Sequence, residues 1–452
     1  MSDEAPAQDA GLVIAERAVS AALDAGASQA EALVIRSRSA LTRFANNEIH
    51  QNVAEDDTIV NLRFVDGQRV GVASANRVDD GSLVRLAGSA AVIARLQPPR
   101  EDFISLPEPG PTPLVFGAWA RSTAEADAKL RADAVAAVIA AAEGEGVQAF
   151  GLSQTSDEDV AVVNSLGVRA SEPRARAHVL TVMMGPGGGT GYAEQVAVDV
   201  STFDASAIGR EAAQRTSRMR DPIELPAGDY PVVLDTYACV DIADMLGYLG
   251  FSALAVQEER SFFAPGKVVG SPLVTIVDDA ADPAGTPASF DYEGVAKQRV
   301  TLLDAGVCRD VVHDAQTASR EGRRSTGHGL PAPNTWGPFP LNQAIAAGDT
   351  PRDELIAGLG RGLLVTRFHY TNVVHPKQVV ITGMTRDGLF LVEDGQIRAP
   401  VRNLRFTQSY LEALAGVEAV SRERTTLEGF LGTAVVPAMR IASFAFTGTT
   451  EH

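Results

Sequence analysis

The stretch Thr58-Ile59-Val60-Asn61-Leu62-Arg63-Phe64-Val65-Asp66-Gly67-Gln68-Arg69-Val70-Gly71-Val72-Ala73 sets the fold class. Strand-like residues 58–64 and 69–73 flank Val65-Asp66-Gly67-Gln68. Asp-Gly accepts the positive φ of a tight turn, so the stretch reads as a β-hairpin. Upstream, residues 30–35 and 40–45 read as two more strands, with a polar turn at Asn46-Asn47-Glu48. Before them, Leu12, Ile14, Ala15, Val19, Ala22 and Leu23 fall at helical spacing, and Gly26 follows as a C-cap. Helical spacing returns over residues 80–94. Helix, antiparallel strands, helix is an α+β pattern.

Residues 97–116 carry Pro98, Pro99, Pro107, Pro109, Pro111 and Pro113 and read as an extended connector. Residues 122–142 read as a helix, with Ser122 as cap and Glu125 completing a capping box. Strands follow at 147–154, 159–163 and 178–184. The run Gly185-Pro186-Gly187-Gly188-Gly189-Thr190-Gly191 reads as a wide turn, since neither a Lys-Ser/Thr pair nor a helix start follows it. A helix is expected over 204–218. A boundary falls near Arg220-Asp221-Pro222, giving an N-terminal α+β domain (1–220, with sub-regions 1–100 and 117–220) and a strand-rich C-terminal domain (221–452). In the latter a strand is expected at 230–234 and a long apolar helix at 240–258. Further strands are expected at 273–277, 299–304, 363–369, 378–383, 389–393 and 439–447.

The 452 residues carry a formal net charge of −18. Without a basic patch, such a chain repels nucleic acid and anionic membrane surfaces. Arg174-Ala175-Arg176 and Arg323-Arg324 are short runs close to acids. Two distant cysteines, Cys239 and Cys308, make neither a disulfide framework nor a zinc knuckle, and a reducing cytoplasm is the expected home. The acidic start Met1-Ser2-Asp3-Glu4-Ala5 does not read as a signal peptide. No apolar run approaches the roughly 20 residues needed to span a bilayer.

The chemistry-bearing residues are sparse. No HExxH or HExxxH occurs among the seven histidines. His369 and His375 lie six apart across a strand-turn-strand segment, a spacing that fits neither a helical nor an alternating ligand pair. Gly270-Ser271 and Ala288-Ser289 supply no nucleophile elbow. Cys308 sits in a hairpin-like turn with nothing to activate its thiol. Glu258 and Glu259 read as a solvated helix end.

An ordered set of segments resembles the TldD/PmbA family. The set runs from Ala30-Glu31-Ala32 through Gly67-Gln68-Arg69-Val70-Gly71, then Val163-Asn164-Ser165-Leu166-Gly167. It continues with Ser261-Phe262-Phe263, Gly266-Lys267-Val268 and Leu273 to Asp279. Phe290-Asp291-Tyr292-Glu293-Gly294-Val295, Leu303-Asp304-Ala305-Gly306-Val307 and Gly388 to Ile397 complete it. The resemblance implies an α+β chain that pairs with a related subunit around an enclosed groove. It also implies that the TldD-like subunit carries HExxxH and a later Cys for zinc, while the PmbA/TldE-like subunit lacks them. Counted back from Ser261-Phe262-Phe263, the motif should fall on Asp244-Met245-Leu246-Gly247-Tyr248-Leu249. Asp244, Met245 and Leu249 then stand at the first His, the Glu and the second His, and no Cys follows Cys308.

The expectation is a non-catalytic subunit with no catalytic, metal or cofactor residue of its own. Zinc is expected in its TldD-like partner. An unfolded or flexible peptide is the expected substrate, added at a strand edge. Arg260, Ser261, His369, Tyr370, Asn372, His375 and Arg386 are the groove candidates. Arg367 to Asn372 lacks the glycine-rich version associated with the family. Two alternatives stand beside this reading. One is a homodimeric peptide-binding protein. The other is a divergent enzyme with metal on His369, His375 and a carboxylate.

Overall fold

The computed structural model describes residues 9–111 and 115–449. Residues 1–5, Pro113 and His452 lie outside them.

The Asp-Gly hairpin is present. Strand β2 (Glu48–Asp66) turns through Gly67, at φ 61°, into β3 (Arg69–Ala75). The expected strands 30–35 and 40–45 are one strand, β1 (Gln29–Ala45), and 147–154 with 159–163 are one strand, β4 (Gln148–Asn164). The polar middles that suggested breaks face each other. Arg36 pairs with Asp159 at 3.3 Å and Arg38 with Asp157, so the charges are satisfied across the ladder and both strands run on. Strands β5 (Arg169–Met184) and β6 (Thr190–Ala197) follow, joined by the wide glycine-rich turn. The result is a six-stranded antiparallel sheet in the order β3-β2-β1-β4-β5-β6, taking strands from both sides of the proline-rich stretch.

Helices cover one face of this sheet. Helices α1 (Asp9–Asp24) and α2 (Asp80–Leu96) pack on Ala32, Val34, Val60, Leu62 and Ala161. Helices α3 (Ala128–Glu145) and α4 (Ala205–Arg218) pack on Ala149, Val179 and Ala193. The expected start of α3 at Ser122 is corrected. Residues Arg121–Ala124 form a separate turn and Ser122 gives its hydroxyl to Asp199, while Asp127 caps α3 by accepting the Leu130 N–H. A well-placed Asp satisfies an orphan helix donor, which fixes the start there.

The rest of the chain forms an 11-stranded sheet. Its strands are β7 (Gly228–Leu234), β8 (Ile276–Asp278), β9 (Val300–Asp304), β10 (Val307–Cys308), β11 (Asn342–Ile345), β12 (Arg361–His375), β13 (Val380–Glu393), β14 (Gln396–Pro400), β15 (Leu404–Ser409), β16 (Val417–Glu428) and β17 (Thr433–Thr449). Strands β7, β12, β13, β15 and β17 pair in sequence, and β17 pairs back with β7, so five strands close a ring. Strands β15 and β16 had no counterpart in the sequence reading. The strands expected at 378–383 and 389–393 merge into the single strand β13, which starts only at Val380 after a turn at Pro376–Gln378 and bends at Asp387 (φ 58°) and Gly388.

The long apolar helix is also corrected. Helix α5 (Thr236–Leu249) stops at Gly250, and a second turn spans Ala253–Gln257. The Phe262 ring lies against Gly250 so closely that a Cβ there would stand 1.9 Å from it. Ring and glycine together end α5. Much of α5 is buried in the main core of the second sheet.

The loop 286–297 of the second unit lies on the face of the first sheet opposite its helices. Phe290 packs there on Leu33, Val160, Val162, Val168 and Ala170. This packing places the loop's charged residues between the two sheets.

Candidate functional site

Helix α5 occupies the register where the sequence count placed a zinc motif, so the site is built from it. The Asp244 carboxylate is taken by backbone. Its Oδ2 accepts the Phe430 N–H at 2.6 Å and its Oδ1 the Leu431 N–H at 3.3 Å. Burial pushes its pKa up to about 7, with the two N–H bonds opposing. Gly429 makes the close approach possible, since a Cβ there would meet Asp244 Oδ2 at 2.6 Å. Met245 packs half-buried on the core and Leu249 is buried in it. These residues do not fit a zinc ion. The one carboxylate is engaged, and the other two positions offer no ligand. Among the described residues, no three His, Cys, Asp or Glu side chains come together as a metal-binding group, His369 and His375 included. Cys308 is buried, and burial raises its thiol pKa.

One turn earlier, Asp241 ties α5 to the ring. It accepts the Tyr410 hydroxyl at 2.6 Å and the Thr371 hydroxyl at 2.7 Å. Thr371 belongs to the far half of β12. That strand pairs with β7 only at residues 363–365, so beyond Val365 one edge has no strand partner among the described residues. Register shifts interrupt this half, and Tyr370 sits in the left-handed region at φ 53°. Such irregularities keep an edge from pairing indiscriminately.

Three groove candidates cluster on this edge. The His369 ring lies 4.7 Å from that of Tyr370, which is exposed, and Asn372 Nδ2 donates to the Tyr370 carbonyl at 2.8 Å. Arg386 joins them from β13. Burial lowers the His369 pKa, and Arg386 and Arg367 add to it. Arg367 itself bonds Asp387 at 2.5 Å and lies over the Tyr192 ring. His375 stands exposed at the end of β12 opposite Val380, four residues along β13 from the Met384 that faces His369. Arg260 and Ser261 have local duties. Arg260 pairs with Glu258 at 2.5 Å, while Ser261 donates to the Gly250 carbonyl and accepts the Phe263 N–H, both at 2.8 Å. Glu258 and Glu259 are exposed at the helix end.

Two cavities were not visible in the sequence. The larger, about 880 Å³, lies between α4 and β6 on one side and the ring on the other. Beside it Asp235 caps α5 through the Thr236 N–H and binds Arg352 at 2.6 Å and Arg215 at 2.8 Å. Burial alone would raise the Asp235 pKa, but the two guanidinium groups outweigh it and hold it below the ordinary carboxylate value. The smaller cavity, about 320 Å³, is lined by Leu431 and Gly432 of the loop that holds Asp244, and by Tyr292, Lys297 and His328. These residues lie far apart in sequence, so no local pattern announces either site. Next to that loop, Tyr248, Trp336, Phe339 and Phe430 form an aromatic cluster, with Trp336 and Phe430 exposed.

Three family models match the chain, described as PmbA/TldA metallopeptidase domain 1 over residues 30–94, its central domain over 119–220 and its C-terminal domain over 227–448. A metalloprotease of Methanothermobacter thermautotrophicus is 26% identical over 235 residues, covering 51% of each chain. A metalloprotease TldD homolog of Haemophilus influenzae is 28% identical over 222 residues, 47% of this chain and 45% of its own. The chain thus spans about half the length of these curated relatives. The crystal structure of TldE from Thermococcus kodakarensis superposes with a TM-score of 0.87 at 22% identity, covering 96% of this chain and 99% of that one. It shares the α+β fold.

Proposed function

The chain belongs to the PmbA/TldD metallopeptidase family, and from that premise we propose that it is the non-catalytic, TldE-like member of a two-subunit peptidase. Its zinc-bearing partner is a TldD-like chain with HExxxH. The two enclose a groove for unfolded or flexible peptide, and the work is done in the cytoplasm. The observation that carries this reading is the state of α5. The helix is built, yet Asp244 is spent on two backbone N–H groups and Leu249 on the core.

The contribution of this chain is to hold and orient peptide. The unpaired edge of β12 offers main-chain donors and acceptors, the chemistry of strand addition. His369, Tyr370 and Arg386 flank that edge with polar and aromatic groups. No helix among the described residues is long and apolar enough to cross a membrane.

The test mixes this chain with a TldD-like chain bearing HExxxH and assays cleavage of a flexible peptide. Co-elution as a heteromer and faster cleavage than by the partner alone are expected. A partner whose activity is unchanged by this chain overturns the proposal, and a stable self-dimer that ignores the partner assigns the chain to peptide binding alone. Metal analysis belongs to the same experiment. One equivalent of zinc on the isolated chain, lost with His369→Ala, would instead make this chain a metalloenzyme.

A further inference from the structure

Lys297 is a buried cation whose hydrogen bonding is incomplete. Its side chain is 5% exposed, and its Nζ has no hydrogen-bond partner among the described residues. The nearest carboxylate oxygen, Asp278 Oδ1, is 3.8 Å away, beyond hydrogen-bond reach. Asp278 is already occupied, because Oδ1 meets His328 Nε2 at 2.8 Å and Oδ2 accepts the Asn342 N–H at 2.8 Å. His328 has partners on both ring nitrogens, the second being Thr326 at 2.9 Å. The ammonium therefore has three donors and no acceptor.

Buried polar groups left unbonded are rare and costly, so such a group calls for an acceptor from outside the chain. The cavity it lines holds about 320 Å³, roughly ten times the share of one liquid water, near 30 Å³. The two arginines of the lining have carboxylates beside them, although Arg176 Nε carries no hydrogen bond. Arg174 bonds Glu172 and the Phe290 carbonyl, and Arg176 pairs with Glu428. Asp291 accepts three backbone N–H groups, from Glu293, Val295 and Gly329. Glu158 and Asp291, with Asp278 behind them, disfavour a dianion such as phosphate. One ammonium, loosely paired with Asp278 and with its donors unused, suits a monoanion.

We propose that this cavity binds a carboxylate on Lys297, supplied by the C-terminal end of a peptide or by a free amino acid. The peptide source rests on the groove reading above; the carboxylate chemistry does not. The cavity shares Leu431 and Gly432 with the loop over Asp244, so a peptide end seated there lies beside α5.

Calorimetric titration of the isolated full chain at neutral pH tests this with three probes: trialanine, trialanine amide and free alanine. Trialanine is expected to bind with a Kd at or below about 1 mM and the amide about tenfold or more weakly, the range of one charge-assisted hydrogen bond. Lys297→Met should erase that difference. Free alanine binding as well as trialanine assigns the carboxylate to a small acid. Tighter binding of trialanine assigns it to a peptide end. Either upholds the site. Equal binding of acid and amide, no binding by any probe, or discrimination that survives Lys297→Met overturns it. If Lys297→Met does not fold, the wild-type acid–amide comparison decides alone. The partner subunit is absent from this experiment, so its outcome is independent of the cleavage assay.

Discussion

Thr371, on the unpaired half of β12, donates its hydroxyl to Asp241 of α5 at 2.7 Å. The bond anchors an irregular edge to the best-buried helix of the second unit. Thr371→Val keeps the shape and removes the donor. It is expected to cost about 1 kcal/mol of stability. Amide exchange across residues 369–375 should quicken more than in the ring below Val365. Uniform acceleration across β12 would contradict the anchoring role.

Asp244 gives a pH signature of definite sign. Its folded pKa, about 7, lies above the ordinary 3.8 because burial disfavours the charge. The folded chain therefore binds more protons than the unfolded chain within that window, and this group's contribution to stability falls as pH rises through it. A neutral amide in its place has no charge to desolvate and keeps a short acceptor for the Phe430 N–H. Relative to wild type, Asp244→Asn should gain of order 4 kcal/mol between the acid and alkaline ends of the window. Paired denaturant titrations across pH check this, and a constant difference between the two proteins would refute it.

Asp235 depends on two arginines for its charge. Arg215 is mostly buried, and its loss leaves the carboxylate to Arg352 alone, itself more exposed. Arg215→Met is expected to destabilise by about 3 kcal/mol, as for other broken buried pairs. Asp235→Asn in the same background should recover part of the loss. A double variant no better than the single one would mean that Arg215 acts through packing on Tyr237 instead.

Gly250 is a steric requirement of the α5 terminus. Gly250→Ala drives a methyl into the Phe262 ring and should cost about 1–3 kcal/mol. Phe262→Leu added to it should be less harmful than the two losses taken separately, a coupling measurable by a double-mutant cycle.

Local chemistry was legible in the sequence, and distant pairing was not. The Asp66-Gly67 turn carries its own instruction, so the hairpin and the α+β class could be read from it. A helix was expected at α5 too, and Asp244 and Leu249 lie on it. Strand ends failed where polar runs looked like breaks, because Arg36 and Asp159 satisfy each other only once β1 meets β4. The end of α5 failed for the same reason, being set by Phe262 from outside the helix. Among the site residues, His369, Tyr370 and Asn372 are neighbours in sequence and cluster in space. Lys297, Asp278 and His328 meet only through folding, so no spacing rule could gather them.

The closure of β17 onto β7 has a consequence for biosynthesis. Met439 is the register partner of Leu234, so roughly 200 residues must be made between the two. At about 5–20 residues per second, a nascent ring stands open for about 10–40 s, with one edge of β7 lacking its β17 partner. The six-stranded first sheet is complete by Ala197 and needs none of that chain for its own ladder. On the ribosome, the first sheet is thus available as a template. The face that later receives Phe290 is already formed when that loop emerges.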